Sequence, residues 1–307
     1  MTAAPAPLRA AGDARQRRAL DAVVEVARGA GLGAAGAGIW RAGSAVLVGL
    51  PAVPALARVD DLARPADAAR QVVVAGLLHE RGVPAVELVG PSAQPIASPA
   101  GPVTIWRWEP ADGPPVGPAA FGAVARHLHD ATRDLAARAP VHDPMGAVGA
   151  ELDRAEEAGR TPPPELALLR DVRRRLVEGW PDAADDPLGG ALVHGDLHRA
   201  NVIAARRGAV LADLELAGWG PASADVAPQV VAVRRYGVEP DALEAFLAGY
   251  GADPRRWPGL EVLVEGYELW VTAWAVANRE ASARVEHEAQ VRVARWRGDA
   301  GADWSLR

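Results

Sequence analysis

The chain has 307 residues, half of them hydrophobic, a formal net charge of −6 and no cysteine. That length buries a large core and suits an enzyme-sized protein of one large or two ordinary domains. Nothing in the acidic total favours nucleic acid or an anionic membrane as partner, and the missing cysteines exclude disulfides and thiolate metal sites, which fits a cytoplasmic protein.

Lysine is also absent, so every basic side chain is arginine. This removes the GxxxxGK phosphate loop and any lysine Schiff base. A phosphate grip must then come from arginine, backbone amides or metal. Met1 to Arg18 has no continuous apolar run and reads as neither signal peptide nor membrane anchor.

In chain order, residues 1–14 read as a frayed tail. Arg15 to Gly29 sets Leu20, Val23, Val24 and Val26 at the spacing of an amphipathic helix. Gly31 to Gly36 matches GxGxxG, but a helix precedes it and a strand follows, the reverse of a dinucleotide site, so it reads as a loop. Ser44 to Pro51 and Pro54 to Val59 are strands joined by a turn. Arg58, on the second, reads by pattern alone as a surface arginine on the polar side of an edge strand. Asp67 to Arg81 is a helix stopped by Gly82 and Pro84, with Gln71 on its first turns. Val103 to Trp108 is an apolar strand, and the break from Glu109 through Asp112, Gly113 and Pro115 marks a linker. Helices then dominate: Ala119 to Arg138, Met145 to Ala158, Pro164 to Trp180, and later Asp241 to Tyr250, Glu261 to Ala277 and Ala281 to Arg295. The sum is an α+β chain with a strand-rich front third.

Residues 192–215 interrupt the helices and gather His194, Asp196, His198, Asn201, Asp213 and Glu215 between short apolar strands. If Val202 to Leu211 is a hairpin centred near Arg207, residues whose numbers sum to about 414 face each other, among them Asn201 and Asp213. Paired Cα atoms in such a ladder lie about 4.5–5.5 Å apart, so two hard oxygen ligands converge. That pair suits Mg²⁺, which completes its octahedron with water and phosphate. Asp196, five residues before Asn201, is placed to orient an acceptor hydroxyl and take its proton during phosphoryl transfer.

The run His194-Gly195-Asp196-Leu197-His198-Arg199-Ala200-Asn201 with Asp213-Leu214-Glu215 resembles the aminoglycoside phosphotransferase and choline kinase-like family, built on the protein kinase fold. Arg41-Ala42-Gly43-Ser44 resembles its loop over the phosphates, and Leu56-Ala57-Arg58-Val59 its phosphate-gripping strand. Leu78 to Pro84 resembles the end of its first-lobe helix, Val103 to Pro110 its hinge, and Pro221 to Asp225 the structural motif after the second metal ligand. The resemblance implies a two-lobed fold, a small β-rich N-lobe over 1–109 and a larger, mostly helical C-lobe over 110–307, with ATP between them. It further implies Asp196 as catalytic base, Asn201 and Asp213 as Mg²⁺ ligands, and Arg58, Gly43, Ser44, Gln71, Trp108 and Glu109 around the nucleotide. Gln71 stands where the family offers a glutamate to the basic residue, and Ala45 where relatives often have asparagine.

The expectation is an ATP- and Mg²⁺-dependent kinase of a small-molecule hydroxyl, such as an aminoglycoside, amino alcohol or sugar, acting as monomer or weak dimer without nucleic acid or membrane. Two rivals remain at this level. Gln71 is compatible with a pseudokinase-type binding protein, and His194, Asp196 and His198 form an HxDxH pattern that in another fold holds metal for hydrolysis. Glu261, Glu265 and Glu268 share a helix face that reads as solvated, or as a lure for a cationic acceptor.

Overall fold

The structure is a computed structural model describing residues 7–62, 65–299 and 303–305. It has the protein kinase-like α+β fold. Two compact units divide the chain: Met1–Val116 with Asn201–Ala217, and Gly117–Ala200 with Gly218–Arg307. The sequence reading put the break after Glu109 and everything later in the second lobe; here the linker and residues 201–217 group with the first.

The first unit is built on an antiparallel sheet in the order β1 (Gly38–Ala42), β2 (Val46–Leu50), β3 (Ala55–Val59) and β4 (Val103–Arg107). Helix α1 (Ala14–Gly29), capped by the Asp13 carboxylate accepting from the Gln16 amide, covers one face. Ala19, Val23 and Ala27 pack there with Ile39, Val48, Ala55, Ala57, Val59 and Ile105. The period of two that buries Ala55, Ala57 and Val59 against α1 turns Leu56 and Arg58 to the other face. β3 lies between β2 and β4, so the edge-strand reading of Arg58 is corrected. The frayed-tail reading is corrected where described, since Arg9 exchanges two backbone hydrogen bonds with Ile39; residues 1–6 lie outside the described residues. Helix α2 (Pro65–Glu80) follows β3.

The hairpin β6 (Val202–Ala205) and β7 (Gly208–Leu211) belongs to this unit because the β4 linker is fastened to it. Gly113 donates to the Ala204 carbonyl at 2.8 Å, Arg206 pairs with Asp112 at 2.8 Å, and Arg207 pairs with Glu109 at 2.9 Å. On the other side the Val86 amide donates to Leu211. A Cβ added to Gly113 would stand 2.2 Å from the Ala205 carbonyl oxygen, so only glycine permits the approach. Gly113→Val should therefore lower stability by about 2–3 kcal/mol, read as an earlier urea midpoint; an unchanged midpoint contradicts the clamp.

The second unit is helical: α3 (Pro118–Thr132), α4 (Pro144–Glu157), α5 (Pro163–Glu178), α6 (Ala227–Arg235), α7 (Pro240–Tyr250), α8 (Gly259–Ala277) and α9 (Ala283–Trp296). Proline at the first position of α3, α4, α5 and α7 fixes each start, where its missing N–H costs nothing. α8 is the hub, packed by α4, α5, α6 and α9. A two-stranded ribbon, β5 (Gly190–Val193) with β8 (Gly218–Pro221), completes it. The helix expected over Ala119 to Arg138 stops at Thr132, whose hydroxyl donates back to the Leu128 carbonyl and accepts from the Leu192 amide. Among the described residues no helix is long and apolar enough to cross a membrane.

Candidate active site

Arg58 joins three carboxylates, one through each guanidinium nitrogen. Nε donates to Asp60 at 2.7 Å, Nη1 to Asp213 at 3.0 Å and Nη2 to Glu215 at 2.6 Å. Asp60 lies two residues on, on the same side of the strand, while Asp213 and Glu215 arrive just beyond β7. The Arg58 side chain is 12% exposed, so its charge is largely desolvated and held by this cluster. Burial and the neighbouring Asp213 push the Glu215 carboxyl well above its usual range, against the pull of Arg58. With Glu215 held largely protonated at neutral pH, Asp60 and Asp213 still leave the cluster with more negative charge than the guanidinium neutralises.

The hairpin arithmetic is off by one residue. Val202 faces Leu211 and Ala205 faces Gly208, a sum of 413, so Asn201 opposes Ala212, whose amide donates to the Asn201 carbonyl at 2.9 Å. The reason is a tight turn at Arg206-Arg207, where a turn centred on Arg207 was expected. Asp213 follows at φ 62°, the sole non-glycine residue with positive φ among those described. Aspartate tolerates this region better than most residues, yet such a conformation still costs about 1–3 kcal/mol and clusters at functional positions. The side chain is 42% exposed. Asn201 is buried.

The other residues expected around a nucleotide are distributed over the same unit. Gly43 and Ser44 form the β1–β2 turn, and their carbonyls accept from the Arg15 guanidinium, Gly43 at 2.7 Å. Trp108 and Glu109 lie beyond the opposite end of β3 from Arg58, since Ala55 pairs with Arg107 and Arg58 with Thr104. Trp108 packs edge-on against Trp40 with centroids 5.3 Å apart, and Glu109 holds Arg207. Gln71 is buried in α2 and its amide donates to the Asp67 carbonyl at 3.4 Å. The counter-charges on Arg58 come instead from Asp60, just past the end of its strand, and from Asp213 and Glu215.

In the second unit, Asp196 lies on the loop after β5. Gly195 takes a positive φ of 80°, which glycine adopts without a Cβ penalty. The loop is hung on Asp225, whose fully buried carboxylate accepts from the His194 amide at 2.8 Å and the Gly195 amide at 2.9 Å. Asp225 also accepts from His129 Nε2 at 2.9 Å, and His129 Nδ1 meets the Tyr250 hydroxyl at 2.8 Å. Asp186 holds the Ser223 amide and hydroxyl, both at 2.7 Å, bracing the turn that carries Asp225. Asp196 Oδ1 accepts from the Tyr267 hydroxyl at 2.7 Å, and Oδ2 faces His198 Nε2 at 3.4 Å. Burial pushes the Asp196 carboxyl up, but His198, Tyr267 and His194 outweigh it and hold it down at about 2.

Asp225 is likewise held low, with burial outweighed by His129 and the loop amides. For both aspartates the folded value lies below the unfolded one, so their stabilisation is complete above about pH 4 and is lost as pH falls through the folded values. For Asp196 this is on the order of 2 kcal/mol. Glu215 has the opposite sign and stabilises below its unfolded value. The melting temperature should therefore fall below about pH 4, and Asp225→Asn should flatten that descent; a pH series of melts checks it.

Sequence reasoning missed His129 on α3, Tyr250 on α7, Asp186 on the loop before β5 and Asp60 just past β3, none of which carries a local signal. Leu263, Tyr267 and Trp270 have the spacing of one apolar face of α8; Leu263 and Trp270 are buried, while the Tyr267 hydroxyl turns to Asp196. The acidic face is tied to arginine where contacts are seen. Arg234 pairs with Glu261, and buried Glu268 pairs with Arg235 and Arg295. His194 and His198 do not make a metal set with Asp196: among the described residues no group of three or more His, Cys, Asp or Glu is arranged to hold a metal ion.

No curated protein sequence matches the chain. Among solved structures, a choline/ethanolamine kinase family protein from Mesorhizobium loti is 17% identical, with a TM-score of 0.55 over 92% of this chain and 94% of the other. LicA in complex with AMP is 13% identical, with a TM-score of 0.63 over 94% of this chain and 100% of the other. The aminoglycoside phosphotransferase APH(3'')-Id from Streptomyces rimosus is 19% identical, with a TM-score of 0.55 over 80% and 98%. At these identities the likeness concerns the fold. The sequence profile of the phosphotransferase enzyme family matches residues 41–260, more than half of the chain, and the protein belongs to that family.

Proposed function

We propose that the protein is a Mg·ATP-dependent kinase that moves the γ-phosphate to a hydroxyl of a small molecule. The observation that carries this reading is the Arg58 cluster. A guanidinium desolvated on β3 is a permanent bidentate grip for phosphate oxygens, and the surplus carboxylate charge beside it suits a divalent cation. Mg²⁺ takes one or two protein oxygens and leaves the rest to water and phosphate, so Asp213 with Asn201 suffices to hold it without a larger cluster. When bound there, it neutralises charge on the β- and γ-phosphates. Trp108 and Glu109 start one residue past the three that separate Ala55 from Arg58, roughly 10–13 Å along the strand at ~3.3 Å per residue, which suits a base at one end and phosphates at the other. Asp196, ionised at neutral pH, orients the acceptor hydroxyl and takes its proton as the new P–O bond forms.

The test separates nucleotide binding from apo stability. Mg·ATP should raise the melting temperature of the wild type, and Asp213→Asn should lose that shift. The same variant loses a half-exposed ion pair with Arg58 and relieves the repulsion on Glu215, so its own melting temperature should stay close to that of the wild type. A Mg·ATP shift that survives in Asp213→Asn contradicts the metal assignment. The pseudokinase reading loses its main support, since Arg58 has Asp60, Asp213 and Glu215 as counter-charges without a glutamate at 71.

A further inference from the structure

The loop that carries Asp196 is fixed at its backbone by Asp225. Its side chain is held from outside the loop by the Tyr267 hydroxyl, 2.7 Å from Asp196 Oδ1. It comes from the third turn of α8, the helix packed on four others, which makes it a rigid place from which to aim a hydrogen bond. We propose that Tyr267 is a positioning residue for the transfer reaction: its hydroxyl commits Oδ1, sets the rotation of the Asp196 carboxylate and so fixes the direction from which an acceptor hydroxyl is held. This rests on the reading of Asp196 as the residue that takes the acceptor proton.

The chemistry is consistent in both partners. Burial and the adjacent Asp196 push the Tyr267 phenol well above its usual range, so the hydroxyl keeps its proton and acts as donor. The hydrogen bond favours the ionised carboxylate against burial, alongside His198 and His194 from the same loop. Behind Tyr267 lie Tyr236 and Arg292, themselves joined by a hydrogen bond of 3.1 Å. An ionised, oriented carboxylate is a weak base but a strong director. That matches phosphoryl transfer, where positioning supplies most of the catalysis and proton removal is late.

Tyr267→Phe deletes the hydroxyl and keeps the ring. With [¹³C]carboxyl-aspartate protein and the Asp196 signal assigned from Asp196→Asn, the Asp196 carboxyl resonance at pH 7, where the fold is intact, should move in Tyr267→Phe as its hydrogen bond is lost. Mg·ATP turnover should fall about 10-fold in kcat with the KM for ATP unchanged, a split that loosened packing alone does not produce. A resonance position and kcat equal to those of the wild type, in a protein whose turnover is abolished by Asp196→Ala, overturn the role of Tyr267 and leave the kinase reading intact. Turnover that persists in Asp196→Ala overturns the kinase reading, and the carboxyl resonance still decides whether Tyr267 holds Asp196.

Discussion

Asp196→Ala should lower Mg²⁺-dependent ATP turnover about 10³-fold while leaving the KM for ATP within roughly a factor of two of the wild type. The carboxylate is braced on three sides: Asp225 holds the backbone of His194 and Gly195, Tyr267 holds Oδ1, and His198 stands 3.4 Å from Oδ2. None of these groups grips a nucleotide, so the loss should appear in kcat. Asp196→Asn should be nearly as inactive, because an amide orients a hydroxyl but cannot take its proton. The acid limb of the wild-type rate should also be absent down to about pH 4. With the carboxyl held near 2, Asp196 stays ionised until the fold itself begins to fail.

The second large effect concerns stability. Arg58→Ala leaves Asp60, Glu215 and Asp213 without their shared cation, with the Asp60 side chain 6% and the Glu215 side chain 26% exposed. Removing one partner from a buried charge cluster typically costs about 3–5 kcal/mol. The loss should be larger at about pH 9 than at about pH 7. With Arg58 present the Glu215 carboxyl ionises at about 8; without Arg58 it is raised further, so above that pH the variant goes on losing stability that the wild type no longer loses. Arg58→Lys should recover only part of the loss, because one ammonium cannot present three separate N–H directions to three carboxylates. Urea melts at the two pH values measure both effects.

This geometry also explains the departure at Gln71. The Arg58 guanidinium reaches the carboxylate of Asp60, just past the end of its own strand, which takes up charge that α2 does not supply. Gln71 is then free to turn inward and bond to the Asp67 carbonyl.

Much of the fold was legible because it follows from local rules. The period of two in Ala55 to Val59 put Arg58 on the face away from the packed side, and proline and glycine marked the helix ends. The cluster from His194 to Glu215 was legible because six polar residues stood between apolar strands. What the sequence could not disclose was long-range. The hairpin register depended on a single residue of turn geometry, which moved Asn201 opposite Ala212 and left Asp213 in a left-handed conformation. The attachment of the hairpin to the linker depended on Gly113 meeting Ala204, nearly a hundred residues away. β8 and α6 were missed because Gly218–Pro221 carries two glycines and a proline, and because α6 is only nine residues long. His129, Asp225 and Tyr250 come from three separate elements, so their convergence on the Asp196 loop left no spacing to read.

The most direct test is ³¹P NMR of the wild-type protein with Mg·ATP and a pooled panel of amino sugars, amino alcohols, sugars and macrolides, with Asp196→Ala as the blank. The kinase reading predicts loss of the γ-phosphate resonance together with a new phosphomonoester signal, both absent from the blank. ATP left intact across the panel by a protein that binds Mg·ATP, or an equal phosphomonoester signal in the blank, contradicts it.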